Sequence, residues 1–132
     1  MGTNGNIKEL IKDLCSRLPY GVKVNVIYSK ENASSFRQRV CVEGDNELTT
    51  DIIGLYQRDE IDIKPYLFPL SSMTEEQKEE YHNNCNVGLN RWGDEVYYDS
   101  DESIDWLNAH HFDHRRLIEK LLALDATGLN IY

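Results

Sequence analysis

At 132 residues the chain suits one domain, and a net charge of −9 with no apolar run of about 18 residues excludes a membrane-spanning helix. Three cysteines, Cys15, Cys41 and Cys85, are odd in number and far apart, which fits reduced thiols in a cytosol rather than a disulfide framework. No basic stretch leads into an apolar one at the start, so no secretory signal is read there, and Asn6 stands where a myristoylation site after Gly2 wants Ser or Thr.

The first predicted element is an amphipathic helix from Asn6 to Leu18. Ile7, Leu10, Ile11, Leu14 and Leu18 recur at helical spacing, while Lys8, Lys12 and Arg17 take the wet side. Asn6, with Glu9 three residues on, marks its start, and Pro19 stops it. Gly21 turns the chain into a first strand, in which Val22, Val24, Val26 and Tyr28 alternate with Lys23, Asn25, Ile27 and Ser29. A polar loop from Lys30 to Ser35 and a second strand from Phe36 to Glu43 would complete an antiparallel hairpin. Gly44-Asp45-Asn46 reads as a turn. A third strand is predicted within Leu48 to Tyr56, with Gly54 as its candidate bulge. Gln57 to Glu60 is a second turn, and Ile61 to Lys64 a short fourth strand whose alternative is an irregular approach.

An apolar elbow follows. Pro65 and Pro69 bracket Tyr66, Leu67 and Phe68, and proline holds Lys64 and Phe68 extended. Rings this dense either pack across the core as a strap or form an exposed contact patch. Thr74-Glu75-Glu76-Gln77 then has the form of a capping box, with two carboxylates at the positive end of the helix dipole. The helix it opens runs to about Cys85. Only Tyr81 and Cys85 share a buried stripe, so it is a surface helix.

Asn86 to Asp94 reads as a loop, and Val96-Tyr97-Tyr98 as a short strand or extended piece. Asp99 to Glu102 can cap the next helix, with Glu102 in the capping-box position. Ile104, Leu107 and His111 form a stripe with Trp106 beside it. A last helix is predicted from near Asp113, with Leu117, Ile118, Leu121, Leu122 and Leu124 as its buried face and Gly128 at its end.

Charge is unevenly spread. Residues 1–66 hold 9 basic and 10 acidic side chains, against 5 basic and 13 acidic in residues 67–132. Asp94, Glu95, Asp99, Asp101, Glu102 and Asp105 fall together without a Lys or Arg among the six. Such a surface repels phosphate, so direct nucleic-acid binding is disfavoured. It is either a solvated face that keeps the chain soluble or a docking patch for a basic partner, in the extreme a DNA mimic.

The cluster that suggests chemistry is Trp106 to Arg116. On an unbroken helix His110 and His114, four apart, would share a face and could hold a metal. A zincin motif needs Glu after the first His, and His111 stands there. The competing reading is a helix–helix corner with His111 and Phe112 packed and His110 and His114 in water. There is no GxSxG, CxxC, GxxxxGK[ST] or GxGxxG, and no acid pair is singled out for proton transfer. Cys41, on a strand face with Arg37 and Arg39, is a packed residue or a reactive thiol.

Three blocks carry a resemblance: DLCSRLPYGV at 13–22, KPYLFPLSSMTEE at 64–76, and Asp105-Trp106-Leu107-Asn108 with His111-Phe112-Asp113 and Leu117-Ile118. They resemble a family of short, uncharacterised proteins common in gut anaerobic bacteria and their phages or mobile elements. The chain departs where relatives carry Tyr-Arg-Gly after the Asp, having His114-Arg115-Arg116, and it ends in Asp125-Ala126-Thr127-Gly128 rather than a Pro-containing tail. The resemblance implies context and no chemistry.

The expectation is a single α+β domain over residues 1–132. It has an N-terminal helix, a small antiparallel sheet of three to four strands (barrel-like if strongly curved), and C-terminal helices packed on one side. The expected role is a non-enzymatic, cytoplasmic accessory protein of a phage or mobile element, without cofactor. It would act by contact with a protein partner, basic if the acidic half is used, with self-association left open. Contact residues would be Tyr66, Phe68, Asp99, Asp101, Glu102 and Trp106. The alternative is a small metal-dependent enzyme or hydrolase using His110, His111 and His114.

Overall fold

The computed structural model describes residues 4–28, 44–58 and 60–132. Helix α1 spans Asn4–Arg17. Leu10 and Leu14, four apart, are buried on one stripe, and Pro19 tightens the exit into a 3-10 turn, Leu18–Tyr20. Gly21 follows with φ +70, a left-handed conformation suited to glycine; an added Cβ would also meet Glu47 Oε1 at 2.9 Å.

Strand β1, Lys23–Tyr28, puts Val24 and Val26 into the core and leaves Ile27 exposed, as its alternation predicts. Its described antiparallel partners are β2, Gly44–Glu47, on one side and β3, Ile61–Pro69, on the other. The loop and second strand expected over 30–43 lie outside the described residues. Gly44-Asp45-Asn46 is not a turn: it is strand, with Asp45 opposite Asn25. The side chains close the pair, Asn25 Nδ2 donating to Asp45 Oδ1 at 3.1 Å.

The expected third strand is instead helix α2, Thr50–Gln57. Ile52, Ile53, Leu55 and Tyr56 are spaced for a helix face rather than for alternation, with the first three buried. Thr49 caps it, its hydroxyl accepting the N–H of Ile52 at 3.2 Å. Gly54 sits in mid-helix rather than in a bulge.

The weakly marked fourth strand is the centre of the sheet. β3 runs through the whole elbow to Pro69. Pro65 falls where pairing with β1 ends and pairing with a C-terminal strand begins, so its missing N–H sits at the change of partner. The C-terminal pairings are parallel and short. Phe68 faces Phe112 of β6 (Phe112–Asp113), and Tyr66 faces Leu124 of β7 (Leu124–Asp125). Leu67 is fully buried, so the elbow is a core strand, with Phe68 half-buried beside it.

After a 3-10 turn, Leu70–Ser72, come helix α3, Glu75–Asn84, strands β4, Asn86–Leu89, and β5, Glu95–Tyr98, and helix α4, Asp101–Ala109. β4 forms where a loop was expected and pairs antiparallel with β5, the short strand expected at Val96 to Tyr98, as a separate hairpin. The fold is therefore α+β, with an N-terminal helix, an antiparallel β2–β1–β3 sheet extended by parallel pairs, and C-terminal helices α3 and α4. No helix among the described residues is long and apolar enough to cross a membrane.

The last helix expected from Asp113 does not form. The buried Asp113 carboxylate accepts the N–H groups of Arg115 at 3.3 Å, Leu117 at 3.0 Å and Ile118 at 2.9 Å, gathering the backbone into turns. Arg116 and Leu121 adopt φ of 59 and 62, which no α-helix contains. Leu117 still reaches the main core, at about 2 kcal/mol for a side chain of that size, while Leu121 stays in water.

Candidate functional site: a groove between helix α3 and an aromatic hairpin

Helix α3 begins as its sequence requires. Gln77 N–H donates to Thr74 Oγ1 at 3.1 Å and Thr74 N–H to Gln77 Oε1 at 2.9 Å, with Glu75 and Glu76 in the first turn. None of its residues is buried. Cys85 ends it in an extended conformation that leads directly into β4.

In the hairpin Val87 lies opposite Tyr97 and Leu89 opposite Glu95, so these four side chains share one face. Asn90 builds the turn between the strands. Its side-chain oxygen accepts the N–H groups of Trp92 at 2.9 Å and Asp94 at 3.0 Å, and Gly93 takes the left-handed φ of +83. Tyr98, on the other face, lies against Gly88; a Cβ there would meet its ring at 2.9 Å.

Three contacts hold the hairpin's root. Ser100 donates to the carbonyl of Asn84, Tyr81 donates to Asp99 Oδ1, and the His82 ring stacks on Tyr97 at 4.0 Å and 5°. Partial burial, then the bond to Asp99, raises the Tyr81 phenol far above its ordinary range. Helix α4 is capped by Ser100 with Ser103, not by Asp99 with Glu102: Ser103 occupies the N3 position and its hydroxyl is sheltered, while Glu102 faces water.

Between α3 and the shared hairpin face lies a groove of about 920 Å³ lined by Glu75, Glu76, Glu79, His82, Val87, Glu95 and Tyr97 among others. Its apolar side is open to water. Val87 is 57% exposed, Leu89 69% and Tyr97 45%, and Trp92 at the turn is 75% exposed with Arg91 over its ring at 5.3 Å. Solitary exposed apolar residues are ordinary, but these four, with Tyr98 exposed on the other face, make a patch on one small hairpin. Residues 75–105 hold ten carboxylates against Lys78 and Arg91, so this segment carries eight of the nine net negative charges.

The residues expected from sequence to make contacts fall in two places. Tyr66 and Phe68 are on β3. The Tyr66 hydroxyl donates to Asp45 Oδ1 and its carbonyl accepts Tyr132 OH at 2.8 Å, while Phe68 packs on Phe112 and Tyr132 at 6.1 and 5.8 Å. That bond lowers the Asp45 carboxyl and raises the Tyr66 phenol. Trp106 is 9% exposed in a small core with Leu107 and Phe112, donating to Glu80 Oε1 at 3.3 Å. Asp99, Asp101 and Glu102 are exposed at the start of α4, next to the hairpin root. Val87, Leu89, Trp92 and Tyr97 were not read as contact residues from the sequence, although Asn90 and Gly93 between two short apolar-bearing runs signal a turn.

The histidines do not line one helix face. Helix α4 stops at Ala109, and His111 turns the chain with φ 63. His110 Nδ1 lies 2.9 Å from the Trp106 carbonyl, His111 stacks on Tyr132 at 3.7 Å, and His114 Nε2 lies 2.9 Å from Asn108 Oδ1. Burial first, then the charges of Arg17 and His110, pushes His111 down to about 4; burial and Arg17 also lower His114. Among the described residues no group of three or more His, Cys, Asp or Glu is placed to hold a metal ion. Arg115 lies with Nε 3.2 Å from Asp13 Oδ1 on α1.

Comparison of the chain with protein-family models, with curated proteins and with solved structures finds no match.

Proposed function

We propose that the chain is a non-enzymatic accessory protein that acts by protein–protein contact, presenting residues 75–105 to a basic partner. One observation carries the reading: an open apolar hairpin face and eight of the nine net negative charges occupy the same thirty-odd residues. Aromatic and aliphatic groups supply area to bury on binding, and the carboxylates around them steer a cationic partner and repel nucleic acid. Cys15 and Cys85 are free thiols, which supports a reducing, cytoplasmic setting. The resemblance of the KPYLFPLSSMTEE and DWLN blocks to short proteins of gut anaerobes and their phages supports a role in a phage or mobile element.

The test is affinity capture from the extract of the native host. The chain should retain a basic protein at low salt and release it as salt rises. A variant with Glu75, Glu79, Glu95, Asp101 and Glu102 changed to Gln or Asn should retain none. Equal capture by that variant would contradict the reading.

A further inference from the structure

We infer that the groove between α3 and the β4–β5 hairpin is the docking site for an extended partner segment that alternates lysine or arginine with apolar residues. This rests on the contact function proposed above and names where and what the surface binds.

The occupant's chemistry follows from the groove's two sides. One side is mostly apolar and open to water: Val87, Leu89 and Tyr97 share a face with Glu95, and the His82 ring stacks on Tyr97. The other side is α3, which presents Glu75, Glu76 and Glu79 with Lys78 among them, its Nζ 3.3 Å from Glu75 Oε1, and Glu95 faces them from the hairpin. A segment that set only apolar groups here would leave the carboxylates facing a low-polarity neighbour. One that set only cations would leave Leu89 and Val87 wet. An extended chain places successive side chains on opposite sides, so alternation satisfies both.

A second copy of this chain is disfavoured as occupant, because it would press the same carboxylates against each other.

Isothermal titration with a short peptide alternating lysine and leucine tests this. Saturable binding is expected, at least about tenfold weaker for lysine alternating with serine and absent for glutamate alternating with leucine. Leu89→Ser and the pair Glu79→Lys with Glu95→Lys should each weaken it by about tenfold or more, with the far-ultraviolet circular dichroism unchanged. Glu119→Lys, which also adds positive charge outside residues 75–105, should not. Absence of saturable binding, or binding untouched by Leu89→Ser and the 79/95 reversal, overturns the groove. If the variant neutralised at Glu75, Glu79, Glu95, Asp101 and Glu102 then loses capture of the host's basic protein, the contact function stands without the groove; if capture survives that as well, both fall.

Discussion

Arg17, the last residue of α1, donates from Nη2 to the carbonyl of Phe112 at 2.7 Å, 95 positions further along the chain. Its Nε holds Asp13 Oδ2 at 2.8 Å, and both side chains are fully buried, so Arg17 is not on the wet side that the helical spacing implied. Arg115 closes on the other Asp13 oxygen, an ion pair aimed too poorly to count as a hydrogen bond. The C-terminal segment is thus pinned to the first helix by charge taken out of water. Arg17→Met should cost about 3–5 kcal/mol, because it leaves a buried carboxylate with only the poorly aimed Arg115 and frees the Phe112 carbonyl. Changing Asp13→Leu as well should recover part of the loss. Urea unfolding measures both; a cost below about 1 kcal/mol for Arg17→Met would contradict the assignment.

Asp113 does for the C-terminal turns what Arg17 does for the packing. Its carboxylate accepts three backbone N–H groups within the next five residues. Asp113→Ala should destabilise the fold by about 2–4 kcal/mol, since buried donors lose a charged acceptor, and Asp113→Asn by less. The circular dichroism of Asp113→Ala should show no gain of helix, as Arg17 and Leu117 still hold the segment.

Acid should weaken the molecule in two steps. His111 is held at about 4 against an ordinary 6.5, so the fold favours its neutral ring. That stability is whole above pH 6.5 and is lost as pH falls toward 4, with His114 shifting the same way. Below pH 4 the lowered Asp45 carboxyl adds a further loss as it protonates. At the alkaline end, partial burial pushes Tyr132 up to about 12, so stability declines from pH 10 upward. Thermal melts across pH should show the plateau between, and His111→Asn, which tolerates the left-handed backbone, should flatten the 6.5-to-4 limb.

The hairpin face should be dispensable for folding. Leu89→Ser and Trp92→Ser alter side chains 69% and 75% exposed, so each should move stability by no more than about 0.5 kcal/mol. A larger loss in denaturant titration would mean that these residues pack rather than wait for a partner.

Local signals were legible where one element decides its own form. The apolar stripe of α1, the alternation of β1 and the Thr74 capping box stand as the residues imply. Failures came where distant contacts decide. Leu117, Ile118, Leu121 and Leu122 have helical spacing, but the Asp113 carboxylate and the long-range pins on its neighbours override it. Ile52 to Tyr56 has helical spacing too, and was masked by its brevity and by Gly54. Pro65 disguised β3, whose partners arrive from both ends of the chain. The acidic span at Asp99 to Glu102 was readable from composition. The apolar half of the site was not, because exposure is a property of the packed chain and Leu89 looks like any core leucine.

The most direct test is amide chemical-shift mapping of the labelled chain with the basic host protein it captures. The account predicts shifts concentrated at Glu75 to Asp105, strongest at Val87, Leu89, Trp92 and Tyr97, and fading as salt rises. Shifts centred on His110 to Arg116 or on β2–β1–β3, with the hairpin unmoved, would contradict it.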